Sequence, residues 1–367
     1  MEPNNTKASY RAKRYRKNRE TGNLFVSIII CLIALASLTG CIYLILQNQQ
    51  MKEEMTEFIP VMGPIEDGVF GNQEDSVSSE PSRLTGDEII LASDVLDELR
   101  RRVSEGEDIS AILRALFVDD IVVGADGKFH FFPINRTLKM HDYVPERFVV
   151  DDKGIMAYTD ESGNIISQKG IDVSRYQLDI DWEKVAADGV EFAIIRLGFR
   201  GSTEGALVLD TFYEANMEGA LAAGIDVGVY IFTQALNEEE AIEEAEFVLE
   251  HIAGYDITYP VVIDIEAIST ANPRTRYMTQ DEWTNVAIAF CERIKEAGYT
   301  PMIYGNLRSF FIMLDMERLE DYEKWFAFFR TPIYFPYAHS IWQYTERGSV
   351  DGIEGDVDLN VGFKRFD

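Results

Sequence analysis

Asp264 and Glu266, two residues apart in the run Val-Val-Ile-Asp-Ile-Glu, are the pair in this chain best spaced for chemistry. On an extended strand, side chains two apart leave the same face, separated along the backbone by roughly 6.5 Å. Carboxyl groups that close do not ionise independently. One is pushed toward its protonated form near neutral pH while the other keeps its charge. That division of labour suits cleavage of a glycosidic bond, in which the leaving oxygen must be protonated while the sugar passes through an oxocarbenium-like state. The same two acids could also hold a divalent cation or pair with arginines. Other polar groups stand against apolar runs in the same way: Asp172 in Gly-Ile-Asp-Val-Ser, Tyr230 in Val-Gly-Val-Tyr and Asp358 in Gly-Asp-Val-Asp-Leu-Asn. Tyr230, Tyr304, Trp342 and Tyr344 offer aromatic faces of the kind on which pyranose rings stack, and Gln343 lies between the last two.

Other chemistries find less support. The four histidines, at 130, 141, 251 and 339, show no metal-ligand spacing, and no nucleophile-elbow or phosphate-loop motif occurs. No metal and no cofactor is therefore expected. The net charge of -29 disfavours nucleic acid as a partner and is compatible with a neutral sugar polymer. Of the three cysteines, Cys31 and Cys41 lie in one apolar run, leaving Cys291 alone in the remainder, where it reads as a buried helix residue.

The elements that must position these groups run from about residue 169 to 367. Short apolar strands (GIDVS, FAIIRLG, VGVYIFTQA, PVVIDIE, PMIYGN, WFAFF and SIWQY) alternate with helices. The clearest helix places Ala241, Ile242, Ala245, Val248, Leu249 and Ile252 on one face and glutamates on the other. Near-continuous apolar strands joined by helices indicate a parallel sheet covered on both faces, and their number indicates an α/β fold closed into a barrel. In such barrels the chemistry sits at the C-terminal strand ends, where these acids fall.

The chain before the barrel divides further. Residues 1–23 form a basic arm with seven Lys and Arg against Glu2 and Glu20, and residues 24–46 form an uncharged apolar run long enough to span a bilayer. Charge on its two sides places the N-terminus in the cytoplasm and everything after residue 50 outside. The segment Leu38-Thr39-Gly40-Cys41 allows an alternative, a lipid-anchored cysteine at Cys41. Residues 47–83 read as a linker or stalk. Residues 84–168 read as a small α+β module, with helices over Asp87–Val103 and Ile109–Phe117 and two hairpins turning at Asp126-Gly127 and at Glu161–Asn164. The module shows no catalytic constellation and is expected to be a spacer or a packing partner.

Taken in order, GIDVSRYQ, DIDWEKV, GVEFAIIRLGFRG, VGVYIFTQA, YPVVIDIE and IWQYTERGSVDGIEGDVDLN resemble the glycoside hydrolase family 25 muramidases, the Chalaropsis-type lysozymes, over about residues 170–363. The resemblance implies an irregular, TIM-like β/α barrel that hydrolyses the β-1,4 bond between N-acetylmuramic acid and N-acetylglucosamine in peptidoglycan. It further implies Glu266 as proton donor, Asp264 as its partner, and Asp172 and Asp358 as further acids of the groove. Whether Asp264 would attack the sugar or orient the substrate's acetamido group stays open. One departure lies at Phe328 and Phe329, where the family often carries a polar residue or a tyrosine.

Overall fold

The computed structural model describes residues 86–268 and 272–366. The basic arm, the apolar run at 24–46 and the stalk lie outside the described residues. Among the described residues no helix is long and apolar enough to cross a membrane.

Helices α1 (Gly86–Ser104) and α2 (Ile109–Leu116) open the described chain. Asp108 caps α2, its carboxylate accepting from the Ser110 amide. Strands β1 (Asp120–Ala125) and β2 (Lys128–Pro133) pair antiparallel. Their two-residue turn is Asp126-Gly127, with φ of 52° and 71°, so the Asp-Gly pair supplies the left-handed backbone that a tight hairpin needs. The second hairpin, β3 (Phe148–Val150) with β4 (Met156–Tyr158), turns at 151–155 rather than at Glu161–Asn164. Asp151 organises that turn by accepting from the amides of Lys153 and Ile155. Asp160 does the same for the amides of Ser162 and Asn164, which makes Glu161–Asn164 a separate turn closed by the Thr159–Ile165 bridge.

The barrel follows as β5 (Gln168–Val173), α3 (Trp182–Ala187), β6 (Phe192–Arg200), β7 (Leu207–Leu209), α4 (Tyr213–Ala222), β8 (Asp226–Phe232), α5 (Glu238–Ile252), β9 (Val261–Asp264), α6 (Gln280–Glu296), β10 (Pro301–Gly305), β11 (Glu323–Ala327), β12 (Ile341–Gly348) and β13 (Val357–Gly362). Eight strands close in the order β5-β13-β12-β11-β10-β9-β8-β6 and back to β5, with β7 added to β6 as a hairpin. The seven expected strands are present. β7 and β13 are additional, and β13 runs antiparallel to both of its neighbours. The link from β12 to β13 spans only residues 349–356, too short for a crossover helix, so the chain must reverse.

Strand alternation divides the apolar residues into two cores. Ile194, Val262, Met302, Trp325 and Ile341 point into the barrel, while Ile195, Ile263, Ile303, Phe326 and Trp342 point outward. Helices cover the outward face of the parallel strands, and Cys291 is buried there on α6. The 84–168 module takes that place over β12 and β13. Phe148 stands edge-on to Trp342 at 5.3 Å, Tyr143 stacks on Phe363 at 3.9 Å, and the Met156 amide donates to the Tyr344 hydroxyl at 3.1 Å.

The closed end of the barrel is filled by Phe192 stacked on Tyr259, with centroids 4.6 Å apart. Gly170 makes room for that ring, since a Cβ there would lie 2.1 Å from it. Gly170→Ala is therefore expected to destabilise by about 1–3 kcal/mol in urea unfolding, the usual cost of overpacking. The penalty shrinks in a Phe192→Leu background, and strictly additive effects in the double-mutant cycle would refute this packing account.

Candidate active site

The carboxyl groups singled out from the sequence come together at one mouth of the barrel. Asp172, Asp264, Glu266 and Asp358 line one cavity of about 430 Å³ with Tyr230, Tyr304, Trp325 and Gln343. Asp172 lies near the end of β5, and Asp264 is the last residue of β9. Glu266 lies two residues beyond β9 rather than on it, half-buried, while Ile265 between the two acids turns into the outer core. Asp358 reaches the same rim because β13 is reversed: its beginning, not its end, lies there. The ladder sets Asp358 directly opposite Asp172, as it sets Tyr304 opposite Asp264.

A chain of hydrogen bonds fixes Asp172. One of its oxygens, Oδ2, accepts from Gln343 Nε2 and from Asn360 Nδ2, each at 2.8 Å. Asn360 Oδ1 in turn accepts from the Trp325 indole at 2.7 Å, and Gln343 Oε1 from the Tyr304 hydroxyl at 2.8 Å. Gln343, expected as a sugar contact, thus has both ends of its amide engaged by the protein. Asp264 differs: it is buried, and its Oδ1 has no hydrogen-bond partner among the described residues.

Burial raises all four carboxyls, and mutual repulsion raises them further. Asp172 is pushed up to about 6 by desolvation, against the lowering effect of Asn360 and Gln343. Asp358 is pushed up to about 8 by desolvation and by the charge of Asp172. Desolvation lifts Asp264 well above the carboxylate range, helped by Glu266 and Asp172, while the Arg196 guanidinium opposes the rise. Glu266 is raised by desolvation and by Asp358, so both members of the Asp264–Glu266 pair are shifted upward, rather than one alone as their spacing suggested. Arg196 is held in place by Asp210, whose Oδ2 accepts from its Nε at 2.7 Å.

Trp342 lies outside this mouth, which corrects its assignment as a sugar contact. On β12 the alternation points Ile341 and Gln343 inward and Trp342 and Tyr344 outward; the Trp342 indole donates to the Phe328 carbonyl at 2.8 Å. The tryptophan in the groove is Trp325, with its ring 4.4 Å from Tyr304. Asn360, Arg196 and Trp325 were not among the expected site residues. Asn360 had a signal, because it lies two residues after Asp358 and so on the same strand face. Tyr176 also lines the groove, 69% exposed, with Arg175 over its ring at 5.2 Å.

Acids gathered at the open end of an eight-stranded barrel, beside aromatic faces, are the arrangement that a glycoside hydrolase requires. Residues 171–353 match the model of glycosyl hydrolases family 25, and the barrel belongs to that family. Lysozyme M1 of Streptomyces globisporus is 29% identical over 214 residues, covering 52% of this chain and 66% of that protein. YegX of Escherichia coli O157:H7, described as uncharacterized, is 25% identical over 272 residues, 72% of this chain and 93% of its own, an alignment longer than the barrel alone. Among solved structures, the modular autolysin LytC of Streptococcus pneumoniae, in complex with a synthetic peptidoglycan ligand, aligns at 25% identity with a TM-score of 0.50. That alignment covers 65% of this chain and spans 57% of the LytC chain.

The raised carboxyls carry a consequence for stability. A carboxyl whose folded pKa lies above its unfolded value binds more protons in the native state between the two, so stability falls as pH rises through that window. For Asp358 the window runs from the ordinary carboxylate range up to about 8. Asp358→Asn is expected to raise Tm by several degrees at pH 8.5 and to change it little at pH 4. Equal Tm values for variant and wild type at both pH values would show that Asp358 is not held in its protonated form.

Proposed function

We propose that the chain is a muramidase that hydrolyses the β-1,4 bond between N-acetylmuramic acid and N-acetylglucosamine in peptidoglycan. The observation that carries this reading is the convergence of Glu266 and Asp264 on one cavity at the mouth of the barrel, beside Asp172, Asp358 and the aromatic walls. Glu266, at the outer edge and half-buried, donates its proton to the departing glycosidic oxygen. Asp264, deeper and with Oδ1 unengaged, faces the sugar carbon on which positive charge develops. The reactive form carries its proton on Glu266 and has Asp264 as the carboxylate; the attraction between that carboxylate and the developing oxocarbenium charge grows as the transition state forms, and only such differential stabilisation accelerates the reaction. The exposed face of Tyr176 and the walls formed by Tyr230 and Trp325 suit uncharged pyranose rings.

The direct test is reducing-end release from purified peptidoglycan, with the fragments identified by mass spectrometry. Fragments from the wild type are expected to end in reducing N-acetylmuramic acid, and Glu266→Gln to lower turnover by about 10²–10⁴-fold, the usual contribution of a general acid. Reducing N-acetylglucosamine ends would place the cut at the other bond. Turnover of chitooligosaccharides without turnover of peptidoglycan would change the polymer.

We also propose that the apolar run at 24–46 tethers the barrel outside the cytoplasmic membrane, its basic arm inside, so that cutting is confined to nearby glycan during wall remodelling. The support is the uncharged length of that run and the charge asymmetry around it. The full-length protein is expected to sediment with membranes and to leave them with detergent but not with high salt. Release by salt alone would refute an inserted anchor.

A further inference from the structure

Glu266 and Tyr304 line two cavities. One is the catalytic groove. The other, of about 380 Å³, continues past Glu266 toward the β1–β2 hairpin, bounded by Arg114 and Gly124 on the module side and by Asn306, Phe328 and Phe329 on the barrel side. We propose that this second cleft is a subsite for the carboxylate-bearing peptide stem of the glycan, with Arg114 as the cation that receives a stem carboxylate. The proposal rests on the peptidoglycan reading above.

The hairpin is a fixed wall. The carboxylate of Asp126, at its turn, accepts both terminal N–H groups of Arg308 at 2.9 Å. The Val122 amide donates to the Tyr334 hydroxyl at 2.9 Å, and that hydroxyl donates to the Asp120 carbonyl at 3.0 Å. The two clamps hold β1 against the barrel beside the acid-bearing mouth.

The cleft also holds an unneutralised positive charge in a chain of net charge -29. Arg308 is engaged by Asp126, and Arg330 nearby by Asp108 at 2.5 Å. Arg114 has no carboxylate within ion-pair distance among the described residues; its one protein hydrogen bond there runs from Nε to the Val122 carbonyl at 3.4 Å. Its guanidinium lies 4.7 Å from the Tyr334 ring and 5.3 Å from the Phe328 ring. Stacking of this kind keeps the planar fork oriented for a carboxylate. An anion seated there would offset both the burial of Arg114 and its repulsion from Arg330. The sugar rings of the glycan are uncharged, but the lactyl ether of muramic acid carries a peptide whose carboxylates are the anions nearest the scissile bond. Phe329, 46% exposed at the cleft, gives the aliphatic parts of such a peptide an apolar surface.

The test compares kcat/KM of the full chain on glycan strands that bear peptide stems and on the same strands stripped of stems by an amidase. Arg114→Gln is expected to lower the ratio of the two values about tenfold, the scale of one lost charge-assisted contact. Gly124→Leu adds bulk at an exposed residue of the cleft lining, where a Cβ meets the Phe129 ring at 3.4 Å, and is expected to lower the ratio similarly without touching a charge. A ratio unchanged in both variants overturns the subsite. If the wild type cuts neither substrate, the muramidase reading fails and the subsite is judged by calorimetry with soluble N-acetylmuramyl tripeptide. Binding weakened by Arg114→Gln then upholds it, and equal or absent binding overturns it.

Discussion

Four carboxyl groups share one buried mouth, and the free energy of keeping them there is the constraint around which the barrel is arranged. Each would be solvated and ionised in the unfolded chain; in the fold each loses water and faces the others. The protein meets this in two ways. It holds Asp172 with two amide donors on a single oxygen, and burial shifts all four groups toward their protonated forms. The cost is carried by the two apolar cores on either side of the sheet, where most strand residues are fully buried. A site of this kind trades stability for a poised protonation state, as sites built on displaced pKa values generally do.

Reversal of β13 follows from a short connection, yet it decides the composition of the mouth. A parallel last strand would carry Asp358 to the closed end of the barrel. Running antiparallel, β13 brings Asp358 opposite Asp172 and Asn360 within reach of both Asp172 and Trp325. The same reversal leaves β12 and β13 without a crossover helix between them, and their outer face needs another cover. Tyr143, Phe148 and Tyr158 of the module supply it around Trp342 and Phe363. The module is therefore a structural part of the barrel wall as well as an N-terminal extension.

The strands were legible because each is an apolar run bounded by polar residues, and the acids were legible because a carboxylate at the end of such a run has no packing reason to be there. The direction in which aromatic residues point was legible only in part. WFAFF is apolar on both faces, since one face packs on helices or the module and the other fills the barrel, so its phase cannot be read from the sequence; in SIWQY the polar Gln343 marks the inward face, and Trp342 beside it must point the other way. Trp342 was placed in the groove against that signal, and Trp325, which lines it, was passed over. The turn of the second hairpin was misplaced for a related reason: Asp151 and Asp160 each nucleate a turn, and short polar stretches do not show which one joins two paired strands.

Phe328 and Phe329 departed from the family pattern and had no meaning in the sequence alone. In the structure each has a separate partner. Phe328 lies under the guanidinium of Arg114, and Phe329 lines the cleft that begins at Glu266. Both contacts depend on a module that the family match at 171–353 does not include. A barrel whose groove is extended by a neighbouring hairpin needs an apolar pair there, because the added wall must be packed against the mouth before it can present a charge to anything bound in it.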